Sequence, residues 1–331
     1  AATFDTTVDA SKFTGSTEMA SVNSTGDVVF SNMVSTQSGT VKGNTAITNG
    51  NTTFGHKATA TSAAIAIEDG TTAGNITVSG AALTSATVTS TGEKNTVGTV
   101  DIGAGTLTAL TIDATTNLKG DFASQATDQI GTDGTLTVKG AATSVELTEA
   151  LDNTIKTVDA SGMTAGGIIA TVGTGAQDVK GGAGADTVVL NTGVKTADFG
   201  SGNDTVTTAA VAATAAGAVK GGTGTDVLKV AATIDIDTQA EGAVYTGFET
   251  VNTAVDANIG NLSTIGGLQI AANTGVTVTG VNAATAANIV VKGDVTNDLT
   301  LTMANAAGTA DVVSIDASFD DGSASTTDDA T

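Results

Sequence analysis

An all-β fold, a parallel solenoid of the β-helix/β-roll type, is what this chain predicts, and three observations lead there. Short β-branched runs recur between Gly, Asn, Ser and Asp turns, many alternating aliphatic with threonine, the period of a strand with one face buried. Large side chains for a globular core are scarce: aromatics make up 3% of the 331 residues, with one Tyr, no Trp and no Pro, while threonine is close to a fifth. Three Gly-Asp loops of one pattern lie mid-chain. Small aliphatics bury themselves best when each rung stacks on the next. A string of β-sandwich modules fits this composition less well.

Taken in order, strands are expected at 75–79, 86–90, 99–103, 106–113 and 135–139, and again at 275–280, 288–292 and 299–302. Helical periodicity is scarce, with short helices admissible only at 144–152 and 209–216. The string (Thr/Ser)-(Val/Ile)-Asp-Ala-(Ser/Thr) occurs at 7–11, 111–115, 157–161 and 314–318, unevenly spaced, so that rungs vary in length or the copies mark equivalent corners. Its aspartates, Asp9, Asp113, Asp159 and Asp316, either accept hydrogen bonds from their own turns, the preferred reading, or add cation ligands. His56 reads as a surface residue of the turn Phe54-Gly55-His56-Lys57. The organisation expected is 1–150 as an irregular β-solenoid, 151–235 as a calcium-binding β-roll, and 236–331 as further solenoid with an acidic end. No segment has the length and apolarity of a membrane span, and the chain reads as a fragment of a larger protein.

The three loops carry the functional information. Gly181, Gly182, Ala183 and Gly184 lead to Asp186; Phe199, Gly200, Ser201 and Gly202 lead to Asp204; Gly221, Gly222, Thr223 and Gly224 lead to Asp226. Each is followed by a short aliphatic or β-branched segment, the G-G-x-G-x-D-x-(aliphatic)-x nonapeptide of a β-roll. Glycine admits φ > 0 and lets carbonyls approach a cation, and aspartate supplies a hard anionic oxygen of the kind Ca²⁺ takes. Gly181 and Phe199 are 18 residues apart, two nonapeptides, which predicts that Asp186 and Asp204 stack about 4.8 Å apart. Two such carboxylates without a cation repel by about 3 kcal/mol at an effective dielectric near 20. From Phe199 to Gly221 is 22 residues, with 209–216 as the place for the four extra, so Asp226 rejoins the same edge. The nonapeptide 190–198 keeps only Gly193, which predicts a weak or empty opposite edge. Asp178, closing the degenerate turn 173–178, is a second-rank ligand. The plainer reading, that these are Gly-Asp turns between strands, suits any one of them but not three in register.

Residues 173–252 resemble the RTX (repeat-in-toxin) calcium-binding proteins. The flanking segments, Lys156-Thr-Val-Asp-Ala-Ser-Gly-Met163 and Tyr245-Thr-Gly-Phe-Glu-Thr-Val-Asn252, are similar to segments of RTX-bearing bacterial surface-layer proteins of the Caulobacter and Campylobacter type, and of large surface adhesins. The resemblance implies type I secretion, calcium-dependent folding outside the cell and assembly into a two-dimensional lattice. It also implies that the sixth-position aspartates and the turn carbonyls are the Ca²⁺ ligands. Phe199 departs from the pattern by replacing the first glycine of its repeat.

Composition narrows the remaining classes. There are 34 acidic residues against 12 basic ones, all lysine, for a net charge of −22, so nucleic acid and direct insertion into or adhesion to an anionic membrane are not expected. Cysteine is absent and histidine single, which removes thiolate sites and multi-histidine chemistry. A β-helix lyase needs Arg or Lys beside its substrate, a glycosidase needs aromatic platforms and a serine triad needs a usable histidine, so no enzymatic activity is expected. Threonine pairs at 87–89 and 106–108 are too unevenly spaced for an ice-ordering array. The function expected is a self-assembling extracellular protein at the bacterial cell surface, forming a calcium-dependent surface layer or fibre. Its partners are other copies of itself and, second, cell-surface polysaccharide; the alternative is a glycan-binding segment of an RTX adhesin. The acidic cluster Asp320, Asp321, Asp328 and Asp329 is a further place where Ca²⁺ bridges copies, or a solvated tail.

Overall fold

The computed structural model describes residues 5–103, 107–122, 130–131, 133–211, 213–271, 275–292, 298–305 and 312–316; the acidic cluster at 320–329 lies outside them. Two compact units, Ala1–Asp186 and Thr187–Thr331, divide the chain. Each is a parallel β-solenoid.

In the first unit one sheet takes Thr6–Asp9, Val28–Met33, Thr52–His56, Ile76–Ser79, Asn95–Gly103, Leu118–Phe122, Ser144–Ala150 and Gly167–Thr171. The other takes Glu18–Val22, Ser38–Lys42, Ser62–Glu68, Ser85–Thr91, Ala109–Ala114, Gly134–Gly140, Ile155–Met163 and Asp178–Lys180. The main strands alternate between the two sheets, two to a rung, and the short strands Thr48–Asn49 and Thr72–Ala73 extend the first sheet just before Thr52–His56 and Ile76–Ser79. Val28, Thr52, Ile76 and Val100 are successive register partners, each 24 residues after the last. In the second unit Thr187–Val189, Thr205–Thr207, Val227–Val230, Thr250–Thr253, Gly267–Ile270, Ile289–Val291 and Ile315–Asp316 form one parallel sheet. Thr196–Asp198, Val219–Lys220 and Tyr245–Thr246 form a second, and Ala257–Asn258, Val276–Val281 and Leu299–Met303 a third.

Alternation along each strand becomes stacking between rungs. Ile65, Val88, Ile112 and Val138 are register partners and fully buried, and so, in the second unit, are Val188, Val206, Leu228 and Val251. Phe30 and Phe54 stack in the same way, ring centroids 5.6 Å apart. Each fully buried aliphatic of this kind contributes about 1.5–3 kcal/mol. Outward positions pair by charge: Lys42 with Glu68, Lys119 with Glu146, Lys139 with Asp113 and Lys180 with Asp159 are ion pairs between register partners on adjacent rungs. These exposed, solvent-screened pairs add little stability but penalise a slipped register.

Two expectations are corrected. The segment 144–152 is not helical: Val145 and Leu147 are buried on the strand Ser144–Ala150, paired with Leu118 and Gly120 of the previous rung. Nor is 209–216 helical in its described residues; it is an excursion between Thr205–Thr207 and Val219–Lys220. The repeated aspartates behave as turn acceptors where the bonds are seen. Ser11 donates N–H and Oγ–H to Asp9 Oδ1, and Ser161 does the same to Asp159 Oδ1.

His56 is also corrected, from surface turn to strand interior. It ends the strand Thr52–His56 at 9% exposure, with the Phe54 and Ser79 backbone beside its ring. Burial holds its pKa below the usual 6.5, so its neutral form belongs to the fold, and stability is lost as pH falls below about 6.5. His56→Leu is expected to lower the pH midpoint of acid unfolding while leaving neutral-pH stability unchanged or raised by up to about 1 kcal/mol. Circular dichroism across pH 7 to 4 checks it, and an unchanged acid midpoint would remove His56 from this role.

Candidate metal centre

The position just before each first-sheet strand carries the side chains of interest. In the first unit it forms a ladder: Asp27 N–H donates to Asp5 Oδ1, Asn51 N–H to Asp27 Oδ1, Asn75 N–H to Asn51 Oδ1 and Thr99 N–H to Asn75 Oδ1, at 2.9–3.2 Å. A short oxygen-bearing side chain there accepts the N–H of the next rung and fixes the stacking distance.

In the second unit the equivalent positions are Asp204, Asp226 and Glu249, which precede the register partners Thr205, Val227 and Thr250. The ladder runs in the opposite sense: Asp204 N–H donates to Asp226 Oδ1 at 2.9 Å and Asp226 N–H to Glu249 Oε2 at 2.8 Å. Asp204 and Asp226 are fully buried. Asp226 Oδ2 has no hydrogen-bond partner among the described residues. Burial first, and then the neighbouring charge of Glu249, push the Asp226 carboxyl above its usual range, against the pull of the Asp204 N–H.

Glycine makes this line possible. The turns 199–204 and 221–226 stack directly, with Gly202 N–H donating to the Thr223 carbonyl and Thr223 N–H to the Gly200 carbonyl, both at 2.9 Å. Ser201 and Thr223 are bridged in parallel, and Thr225 N–H donates to Asn203 Oδ1 at 3.0 Å. Gly200, Gly202, Gly222 and Gly224 all have positive φ, from 83° to 145°. A Cβ on Gly224 would lie 1.6 Å from the Gly202 carbonyl oxygen, and one on Gly221 2.8 Å from Asp226 Oδ2. Phe199, in place of a first glycine, puts its ring in the core at 0% exposure and spends its N–H on the Lys220 carbonyl.

The first loop belongs to the first unit and is built differently. Asp186 is fully buried, with Ile168 N–H donating to Oδ1 at 2.6 Å and Gly182 N–H to Oδ2 at 2.8 Å. Burial raises its pKa to about 6, although both backbone donors pull the other way. Ala183 and Gly184 hydrogen-bond to the carbonyls of Met163 and Gly166 on the preceding turn. Gly181 and Gly182 are buried without positive φ. Asp178 is exposed at the start of Asp178–Lys180, and its turn lies on the opposite edge, after Gly167–Thr171. The buried acid of that edge is Asp152, 1% exposed, which accepts Thr154 N–H.

Asp204, Asp226 and Glu249 share a line, one per rung, and Asp186 directly precedes Thr187, the register partner of Thr205, as the two-nonapeptide spacing predicts. Sequence reasoning missed Glu249, whose signal is its place 23 residues after Asp226. Among the described residues no cluster of three His, Asp or Glu side chains is able to hold a metal, so any ion here takes turn carbonyls as well. Oxygen-only donors suit Ca²⁺, and Asp226 Oδ2 is the buried acceptor that such an ion would satisfy. Both Asp186 oxygens are already engaged by N–H groups.

No helix among the described residues is long and apolar enough to cross a membrane. No protein-family model matches this sequence, and no curated protein does.

Proposed function

We propose that the protein is a non-enzymatic, calcium-stabilised structural protein of the bacterial cell surface that assembles with copies of itself into a layer or fibre. The observation that carries this reading is the line of buried Asp204 and Asp226, continued by half-buried Glu249, beside the stacked glycine turns 199–204 and 221–226. Three carboxylates about 4.8 Å apart in a poorly solvated edge repel one another, by about 3 kcal/mol for a neighbouring pair at an effective dielectric near 20. Bound Ca²⁺ supplies the compensating charge. Asp204 and Asp226, with the carbonyls of the 199–204 and 221–226 turns, would hold it, Glu249 adding negative charge from the next rung, with the loop of Asp186 as a second place. The RTX resemblance extends the reading to type I secretion of a chain that folds where calcium is plentiful. The net charge of −22 keeps copies apart until cations screen it.

Titration of the full chain with Ca²⁺, and with Mg²⁺ as control, tests this by circular dichroism and sedimentation velocity. The wild type is expected to gain thermal stability and then form large species with Ca²⁺ alone, and Asp204→Ala/Asp226→Ala to lose most of both responses. A chain equally stable and monomeric in chelator and in Ca²⁺ would falsify the proposal.

A further inference from the structure

The 209–216 excursion leaves a pocket in the second unit, none of whose lining residues belongs to the Asp204, Asp226 and Glu249 line. Its volume is about 110 Å³, and its walls include Ala213, Ile234, Val244 and Tyr245. The Tyr245 hydroxyl is tied down, donating to the Ala209 carbonyl at 2.9 Å. Two carboxylates, Asp235 and Glu241, complete the lining.

Asp235 makes this more than a packing gap. It is 5% exposed, and a built chain of hydrogen bonds fixes it: Ala231 N–H donates to Thr208 Oγ1 at 3.0 Å, and Thr208 Oγ1–H donates to Asp235 Oδ2 at 2.5 Å. Ala232 N–H donates to the same Oδ2 at 3.1 Å. The two bonds that reach Asp235 both fall on Oδ2, which leaves Oδ1 for a further donor. A buried carboxylate oriented by fixed donors, with an oxygen to spare, calls for a positively charged donor. Asp237, hydrogen-bonded to Glu241, adds a further acid nearby, and no basic side chain lines the pocket. Methyl-bearing walls cannot supply the six to eight oxygens of a Ca²⁺ shell. They do suit an alkyl stem, and the volume accommodates an ammonium head with about three or four carbons.

We infer that this pocket binds a primary alkylammonium group, its head on Asp235 and its stem against Ala213, Val244 and Tyr245. The chemistry is shared by a free small amine and by a lysine side chain.

Calorimetric titration of the full chain with n-propylammonium, and with n-propanol as the neutral isostere, tests the inference. Propylammonium is expected to bind the wild type, at least tenfold more weakly to Asp235→Asn, and propanol no better than to that variant. Ala210→Leu, which narrows the pocket without touching the hydrogen bonds of Asp235, is expected to weaken binding as much, and it serves should Asp235→Asn fold poorly. Nα-acetyl-lysinamide separates the sources: binding like propylammonium admits a polypeptide lysine, and exclusion restricts the site to free amines. Failure of propylammonium to bind, or equal binding by propanol, overturns the inference, as does indifference to both substitutions. None of these readouts depends on Ca²⁺.

Discussion

Gly224→Ala is expected to destabilise the second unit by about 3 kcal/mol or more, because this position combines a positive φ with a very close approach of backbone. The backbone there has φ of 145°, and the new Cβ would meet the Gly202 carbonyl oxygen at 1.6 Å. Residue strain of about 1–3 kcal/mol adds to a similar cost of forcing two stacked turns apart. Asp226, two residues on, then loses its alignment with Asp204, so cation affinity is expected to fall as well. Gly266→Ala is the matched control in the same unit, since its φ is ordinary and a Cβ there meets nothing within 4 Å. Urea denaturation followed by the fluorescence of the single tyrosine, Tyr245, reports the second unit directly. Similar midpoints for the two variants would mean that the 199–204 and 221–226 turns are not stacked as described.

The second large effect is a gain in stability on mild acidification. Asp186 has its folded-state pKa raised from 3.8 to about 6, chiefly by burial. Between those values the folded chain holds a proton that the unfolded chain has released, so stability is greatest below about 4 and falls as pH rises to about 6. The difference amounts to about 2–3 kcal/mol. His56 acts with the opposite sign, so the measurement belongs on the His56→Leu background. Asp9 and Asp159 have lowered carboxyl pKa values and lose their contributions only below about 3.8, outside the window. Ser11 and Asn32 hydrogen bonds hold Asp9 down; for Asp159, burial is outweighed by Ser161 and Lys180. Urea midpoints by circular dichroism are expected to rise from pH 7 to pH 4.5 in chelator. A steady fall over that range would show Asp186 ionised at no cost.

Much of the fold is legible because strand character is local. Each predicted run, from Ile76–Ser79 to Leu299–Met303, is a strand, since alternation of aliphatic and threonine specifies a half-buried extended chain whatever it pairs with. The glycine turns are legible for a similar reason: positive φ at Gly200, Gly202, Gly222 and Gly224 demands a residue without Cβ.

Strand character, the turn glycines and an acidic, histidine-poor chemistry are local properties and follow from the residues alone. Tertiary structure decided everything that depends on which rung lies above which. Val145 and Leu147 become strand residues because Leu118 and Gly120 offer backbone partners in register, whereas the sequence of 144–152 alone permits a helix. Glu249 joins Asp204 and Asp226 because its rung closes 23 residues after theirs, a period set by turn lengths that vary along the chain. Asp152 is buried and Asp178 exposed on one edge, although the motif pointed to Asp178. His56 turns inward because the strand alternation that buries Phe54 buries the second residue after it. Rung register is a property of contacts some two dozen residues apart, and no window shorter than a rung contains it.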